Sequence, residues 1–170
     1  TVYEQFLGSF ARDFLRSREF GDITLCNPLD MHLHLREGQM LESVLPFSAR
    51  AFVSCLAMPN LKTPLTNTSV ALDYQDTILN LANQNGIKDF FPIVSLYLTE
   101  TLSKDELKKA KESGLKILKL YPKGATTGSE SGIKEVLGEN LLEILAYAQD
   151  LGFILCIHGE SAGYCLDREF

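Results

Sequence analysis

Residues 103–121 read SKDELKKAKESGLKILKLY. Ser103 with Glu106 has the spacing of a capping box, and Gly114 supplies the stop, so the stretch between them is expected to be a helix. Leu115 to Tyr121 is a mostly apolar run of strand length, interrupted only by Lys116 and Lys119. A helix followed at once by an apolar strand is one half-turn of an alternating α/β fold.

Outward from that unit the alternation continues in both directions. Strand candidates lie near 29–35, 52–58, 91–98, 115–121 and 153–158, with helix candidates near 40–49, 70–85, 103–113 and 135–151. Apolar strands separated by helices predict a parallel sheet with helices packed on it, either an open doubly wound sheet or a (β/α) barrel. Arg36, Asn60, Tyr121 and His158 stand at or just after the carboxyl ends of strands, where both architectures build active sites. No glycine-rich phosphate fingerprint follows the first strand, which weakens the dinucleotide-binding version of the open sheet. A closed barrel takes eight strands and typically about 250 residues. The barrel reading therefore implies that roughly three βα units lie outside these 170 residues.

Residues 1–21 stand apart from this pattern. Tyr3, Phe6, Leu7, Phe10 and Phe14 recur at helical spacing, with Glu4, Arg12, Arg16 and Glu19 between them. One amphipathic helix is expected there, covering an open edge of the following domain or binding a partner. Residues 22–170 form the α/β domain.

Composition excludes several classes of function. A net charge of -6 and scattered Lys and Arg leave no basic surface to neutralise a phosphate backbone, so nucleic acid is not an expected partner. No apolar run reaches the length of a membrane span, and the first twenty residues lack a basic flank before an apolar stretch. A soluble, unexported protein is expected. Cys26, Cys55, Cys156 and Cys165 form no close pair, so no zinc knuckle or redox motif is written here.

The chemistry concentrates in four places. In Asp30-Met31-His32-Leu33-His34-Leu35-Arg36, strand alternation puts Asp30, His32, His34 and Arg36 on one face. Two imidazoles at i and i+2 can bind one metal ion. Lys119 sits near the end of an apolar strand, where a charged amine is costly. It either snorkels to the strand end or stays neutral and takes up carbon dioxide as a carbamate that bridges two metal ions. His158 ends the fifth strand as a candidate ligand at the same rim, and Glu160 either orients a ligand or faces water. Arg36 offers a planar fork for a carboxylate, and Asn60 a donor for the same group. Thr126 and Thr127 lie in Gly124-Ala125-Thr126-Thr127-Gly128-Ser129, which reads as a mobile rim loop or a plain linker.

These motifs resemble the bacterial class II dihydroorotases of the amidohydrolase superfamily. DMHLHLREGQML, residues 30–41, is similar to that family's opening signature, and Met58-Pro59-Asn60 to its second-strand motif. KLYPKGATT, residues 119–127, and Ile157-His158-Gly159-Glu160 resemble its lysine and second-metal segments. Glu37 stands where the family commonly has Asp, and Gly128 where it commonly has Asn. The likeness covers about residues 25–170 and leaves out the first 21.

The resemblance implies the N-terminal part of a (β/α)8 TIM-type barrel, with two Zn2+ ions bridged by N-carboxylated Lys119. His32 and His34 would bind the more buried metal and His158 the second, while Arg36, Asn60, Thr126 and Thr127 would hold the substrate. The implied reaction is reversible hydrolysis of dihydroorotate to carbamoyl-aspartate in pyrimidine (UMP) synthesis by a zinc-activated hydroxide. The implied setting is a cytoplasmic enzyme, a homodimer when complete. The resemblance implies an acid/base aspartate expected beyond residue 170, so these residues alone are expected to be inactive. The rivals are another cyclic amidase, of hydantoinase or allantoinase type, and a catalytically silent truncated relative that acts by binding.

Overall fold

The computed structural model describes residues 27–160, so the helix expected within residues 1–21 lies outside the described residues. Ten elements alternate along the described chain: β1 (Leu29–Leu33), α1 (Gly38–Ala51), β2 (Ser54–Ala57), α2 (Thr68–Gln84), β3 (Phe91–Val94), β4 (Leu96–Leu98), α3 (Lys104–Glu112), β5 (Ile117–Leu120), α4 (Glu139–Asp150) and β6 (Ile154–Ile157). Local signals explain most of these boundaries. Asn67 and Ser103 cap α2 and α3 by accepting from the backbone N–H of Val70 and Glu106. At the other end, Gly86, Gly114 and Gly152 all have positive φ. In α3 the N–H of Gly114 bonds Lys111 and that of Leu115 bonds Ala110, the paired hydrogen bonds of a Schellman ending.

The capping box expected from Ser103 and Glu106 is only half formed. Ser103 caps as expected, but the Glu106 carboxylate accepts from the backbone N–H (2.6 Å) and hydroxyl (2.5 Å) of Thr68, at the start of α2. The side chain bridges two helices instead of closing its own. Hydrogen bonds from the Thr68 hydroxyl and then its N–H hold the Glu106 carboxyl below its ordinary value, with burial opposing. A carboxylate with a depressed folded-state pKa contributes stability above its unfolded value, lost as pH falls through the folded one. Glu106→Gln should therefore lower the stability by about 1 kcal/mol at pH 7, and the deficit should shrink as the pH drops below the usual glutamate range. Urea midpoints of parent and variant across pH 7 to 3 check this, and a deficit independent of pH would refute the ionic role.

All paired strands are parallel, in two three-stranded sheets ordered β1-β2-β3 and β4-β5-β6. The single strand expected over 91–98 is divided at Ser95. Its first half pairs with β2 and its second with β5. Both the N–H and the hydroxyl of Ser95 bond the Ala57 carbonyl at the end of β2, and the N–H of Tyr97 turns to Leu65. The chain thus changes neighbours at one buried serine, and the strands follow one another in sequence order with no reversal.

Register sorts the strand residues onto two faces. Cys55, Ala57, Val94, Leu96, Leu98, Leu118 and Leu120 join the main core with helix residues such as Leu41, Leu45, Ile78, Leu107 and Ala148. The opposite face carries a smaller cluster of Leu56, Met58 and Ile117, against which Cys156 packs. In register beside that cluster, Ile93 and Ile154 are exposed, and Phe91 is 65% exposed. No helix covers this face among the described residues. It is also the face of Lys119.

Candidate active site

Each chemistry-bearing side chain owes its position to the end of a parallel strand. His32 is the penultimate residue of β1, and His34 follows it. Lys119 lies within β5, and His158 comes immediately after β6. Parallel strands end on the same side, so these groups open on one rim. Asp30 does not join them as strict alternation predicts. The β1–β2 register shifts between Asp30 and Leu33, placing Asp30 beside Cys55 and Leu33 beside Ala57, both on the helix-covered face. Asp30 instead accepts from the backbone N–H of His32 (3.1 Å).

The two β1 imidazoles lie with ring centroids 5.3 Å apart. Burial is the first cause that holds both below the ordinary histidine value. The Lys119 and His158 charges lower His32 further, against Asp30, while Arg36, His32 and Lys119 lower His34 against a hydrogen bond with Asn60. These couplings put His32 within electrostatic reach of His34, Lys119 and His158, and His34 within reach of Lys119. Neutral imidazoles are the form that binds metal.

Lys119 is 2% exposed, in register between Tyr97 on β4 and Cys156 on β6. Its amine lies 5.1 Å from the centre of the Tyr121 ring, and no carboxylate among the described residues pairs with it. Burial pushes its pKa down, opposed by Cys156. A lysine of this kind is biased toward the neutral, nucleophilic amine. His158 Nε2 lies 3.1 Å from Glu160 Oε2, and its ring is 5.8 Å from that of Tyr121. Glu160 thus faces the imidazole, in the place of a group that orients a ligand.

Arg36 adopts φ +61°, a left-handed conformation unusual for a residue other than glycine. Tyr74 holds it there by donating to the Arg36 carbonyl (2.7 Å). The guanidinium makes one long contact, 3.4 Å to the Asn60 carbonyl, and pairs with no carboxylate among the described residues. Asn60 is buried, and its side chain is engaged: Nδ2 donates to the Thr127 carbonyl (2.9 Å), and Oδ1 accepts from Tyr121 (2.9 Å). Its reach toward a ligand is therefore partial.

The stretch 124–129, small and polar in sequence, is folded into a pinned turn. Ser129 Oγ bonds both the N–H and the carbonyl of Thr126, and Tyr97 donates to the Gly128 carbonyl (3.2 Å). Neither threonine hydroxyl has a hydrogen-bond partner among the described residues. Two supporting residues carry no motif of their own, Tyr74 and Tyr97, and a third, Glu37 of the opening motif, accepts from the N–H of Lys62 (2.7 Å) and so braces the segment after Asn60. A buried aromatic hydroxyl in an apolar strand is the signal that marks Tyr97, since such a group needs a partner.

Among the described residues no three His, Cys, Asp or Glu side chains converge on one point that could hold a metal ion. The imidazoles by themselves do not complete a cation's shell. An added donor from Lys119 would be needed. No helix among the described residues is long and apolar enough to cross a membrane.

Comparison with known proteins finds no matching family model. The chain is 57% identical over 148 residues to the dihydroorotase of Helicobacter hepaticus, a match covering 87% of this chain and 42% of that protein. The crystal structure of dihydroorotase from Campylobacter jejuni superposes with a TM-score of 0.73 at 38% identity, covering 81% of this chain and 39% of that one. Dihydroorotase from Saccharomyces cerevisiae in complex with 5-fluoroorotic acid gives a TM-score of 0.71 at 30% identity, over 83% of this chain and 38% of that one. The chain spans about two fifths of the length of the relatives it matches. Over that span it is similar to them in sequence and shares their parallel α/β fold.

Proposed function

We infer that this chain is part of a dihydroorotase, and that the strand-end rim is the part of its active site that the chain contributes. The observation that carries the reading is the grouping of His32 and His34 with the buried amine of Lys119, which pairs with no carboxylate among the described residues, and with the Arg36 guanidinium next to His34. A (β/α)8 barrel is the architecture we propose for the whole. In a doubly wound sheet the strand order reverses at a switch point, whereas within each of the two sheets here the strands run in sequence order, as a closing barrel requires.

The donor set suits divalent cations. His32 and His34 would hold one, His158 a second, and Lys119, as its carbamate, both. Bound there, such cations supply Lewis-acid polarisation of an amide carbonyl and an acidified water. The chain's own groups bind and orient. Arg36 presents its fork to the carboxylate of dihydroorotate, in keeping with the carboxylic acid bound in the yeast structure. Asn60, whose carbonyl meets Arg36, and the hydroxyls of Thr126 and Thr127, which have no partner among the described residues, would complete the grip. Glu160 fixes the orientation of His158. The group that protonates the leaving nitrogen is expected from outside these residues. Zinc as the metal, the carbamate, the role in pyrimidine synthesis, a cytoplasmic location and a homodimer rest on the resemblance of the motifs.

The test is turnover by the full-length protein that carries this chain. Dihydroorotate should be hydrolysed with a kcat/KM at least about 10-fold above that for hydantoin or allantoin, because a ring without a carboxylate leaves Arg36 unpaired. The 170-residue chain by itself should show little or no turnover and less bound zinc. Equal use of carboxylate-free rings would overturn the assignment in favour of another cyclic amidase, and absence of any turnover would favour a binding role.

A further inference from the structure

Two buried phenols grip the segment that carries Thr126 and Thr127. Tyr121, the first residue after β5, donates to Asn60 Oδ1, while the same carboxamide donates through Nδ2 to the Thr127 carbonyl. A backbone carbonyl can only accept, so the amide nitrogen must face Thr127 and the amide oxygen must face the phenol. That fixes which way Asn60 points. Tyr97 reaches the next residue, donating to the Gly128 carbonyl, and the two rings lie 5.2 Å apart. Gly128 has φ +70°, and a Cβ there would lie 3.1 Å from the Asn60 carbonyl oxygen, so the turn crosses Asn60 in close approach.

We propose that Tyr121 is a positioning residue that, by orienting Asn60, latches residues 126–128 over the rim, with Tyr97 as a second latch on the same turn. The role of the latch in substrate binding rests on the dihydroorotase reading. The latch itself does not. Its effect is to hold the Asn60 carboxamide and the backbone that bears the two threonines in one arrangement, which lowers the cost of ordering the turn on binding.

Tyr121→Phe removes one hydroxyl and keeps the ring. In the full-length protein, backbone amide exchange at residues 125–128 should accelerate roughly 10-fold, the size expected from losing one buried hydrogen bond. Trypsin should cut faster after the exposed Lys123, which precedes the turn. The KM for dihydroorotate should rise by about 10-fold with kcat changed less, and zinc content should match the parent, a split that a general loss of structure would not produce. Tyr97→Phe should act the same way, more weakly, and serves if Tyr121→Phe proves unstable. Unchanged exchange and proteolysis in both variants would overturn the latch. Faster exchange with an unchanged KM would overturn its positioning role. Because exchange and proteolysis need no substrate, a parent protein that fails to turn over dihydroorotate would defeat the functional reading while the latch was still decided.

Discussion

Lys119→Met in the full-length protein should reduce dihydroorotate hydrolysis by at least about 100-fold and cut the bound zinc, since even groups behind a metal's ligands are worth roughly 10–100-fold. The substitution separates two roles that burial alone cannot. Lys119 is 2% exposed with no carboxylate partner among the described residues, an arrangement that costs stability. Methionine retains the length and apolar stem while removing the amine, so the thermal midpoint of the metal-free protein should hold or rise as activity disappears. A lysine kept for structure would give the opposite pair of results: activity retained and midpoint lowered. Zinc content, and thermal denaturation once the metal is removed, decide between them.

Arg36→Ala should lower kcat/KM for dihydroorotate by about 10–100-fold with zinc content unchanged, given roughly 1.5–3 kcal/mol for each charge-assisted hydrogen bond lost. The backbone there already sits at φ +61° and is held by Tyr74, so alanine introduces no new strain. The guanidinium's only hydrogen bond among the described residues is the 3.4 Å contact to Asn60, so little of the native structure depends on it. The variant should also lose its preference over hydantoin, because that preference comes from the carboxylate. Unaltered kinetics for dihydroorotate would show that another group grips the acid.

Most of the architecture was legible because its signals are local. Apolar periodicity marked the strand and helix segments, and Asn67, Ser103, Gly86, Gly114 and Gly152 punctuate them through hydrogen bonds that reach only a few residues along the chain. Candidate chemistry was legible for a similar reason: two histidines alternating with leucines, or a lysine within an apolar strand, are anomalies within a single element. The face of Asp30 was not, because a bulge opposite β2 breaks the alternation that the residue types suggest. Nor was the division of 91–98, since Ser95 looks like any small strand residue until its hydroxyl meets Ala57.

The turn at 124–129 shows the boundary between the two kinds of information. By composition it is small, polar and loose, and the sequence determined that such a segment follows Lys119 and its strand. What pins it comes from elsewhere: Tyr97, and Asn60, whose amide reaches 67 residues along the chain to Thr127 and 61 to Tyr121. In the same way Glu106, read as the cap of its own helix, serves Thr68, 38 residues earlier. The sequence by itself determined the elements, their order and which residues carry unusual chemistry, because those depend on interactions between near neighbours. Only the tertiary structure decided which donor meets which acceptor, because a buried hydroxyl, amide or carboxylate must satisfy its hydrogen bonds with whatever the assembled strands bring within about 3 Å.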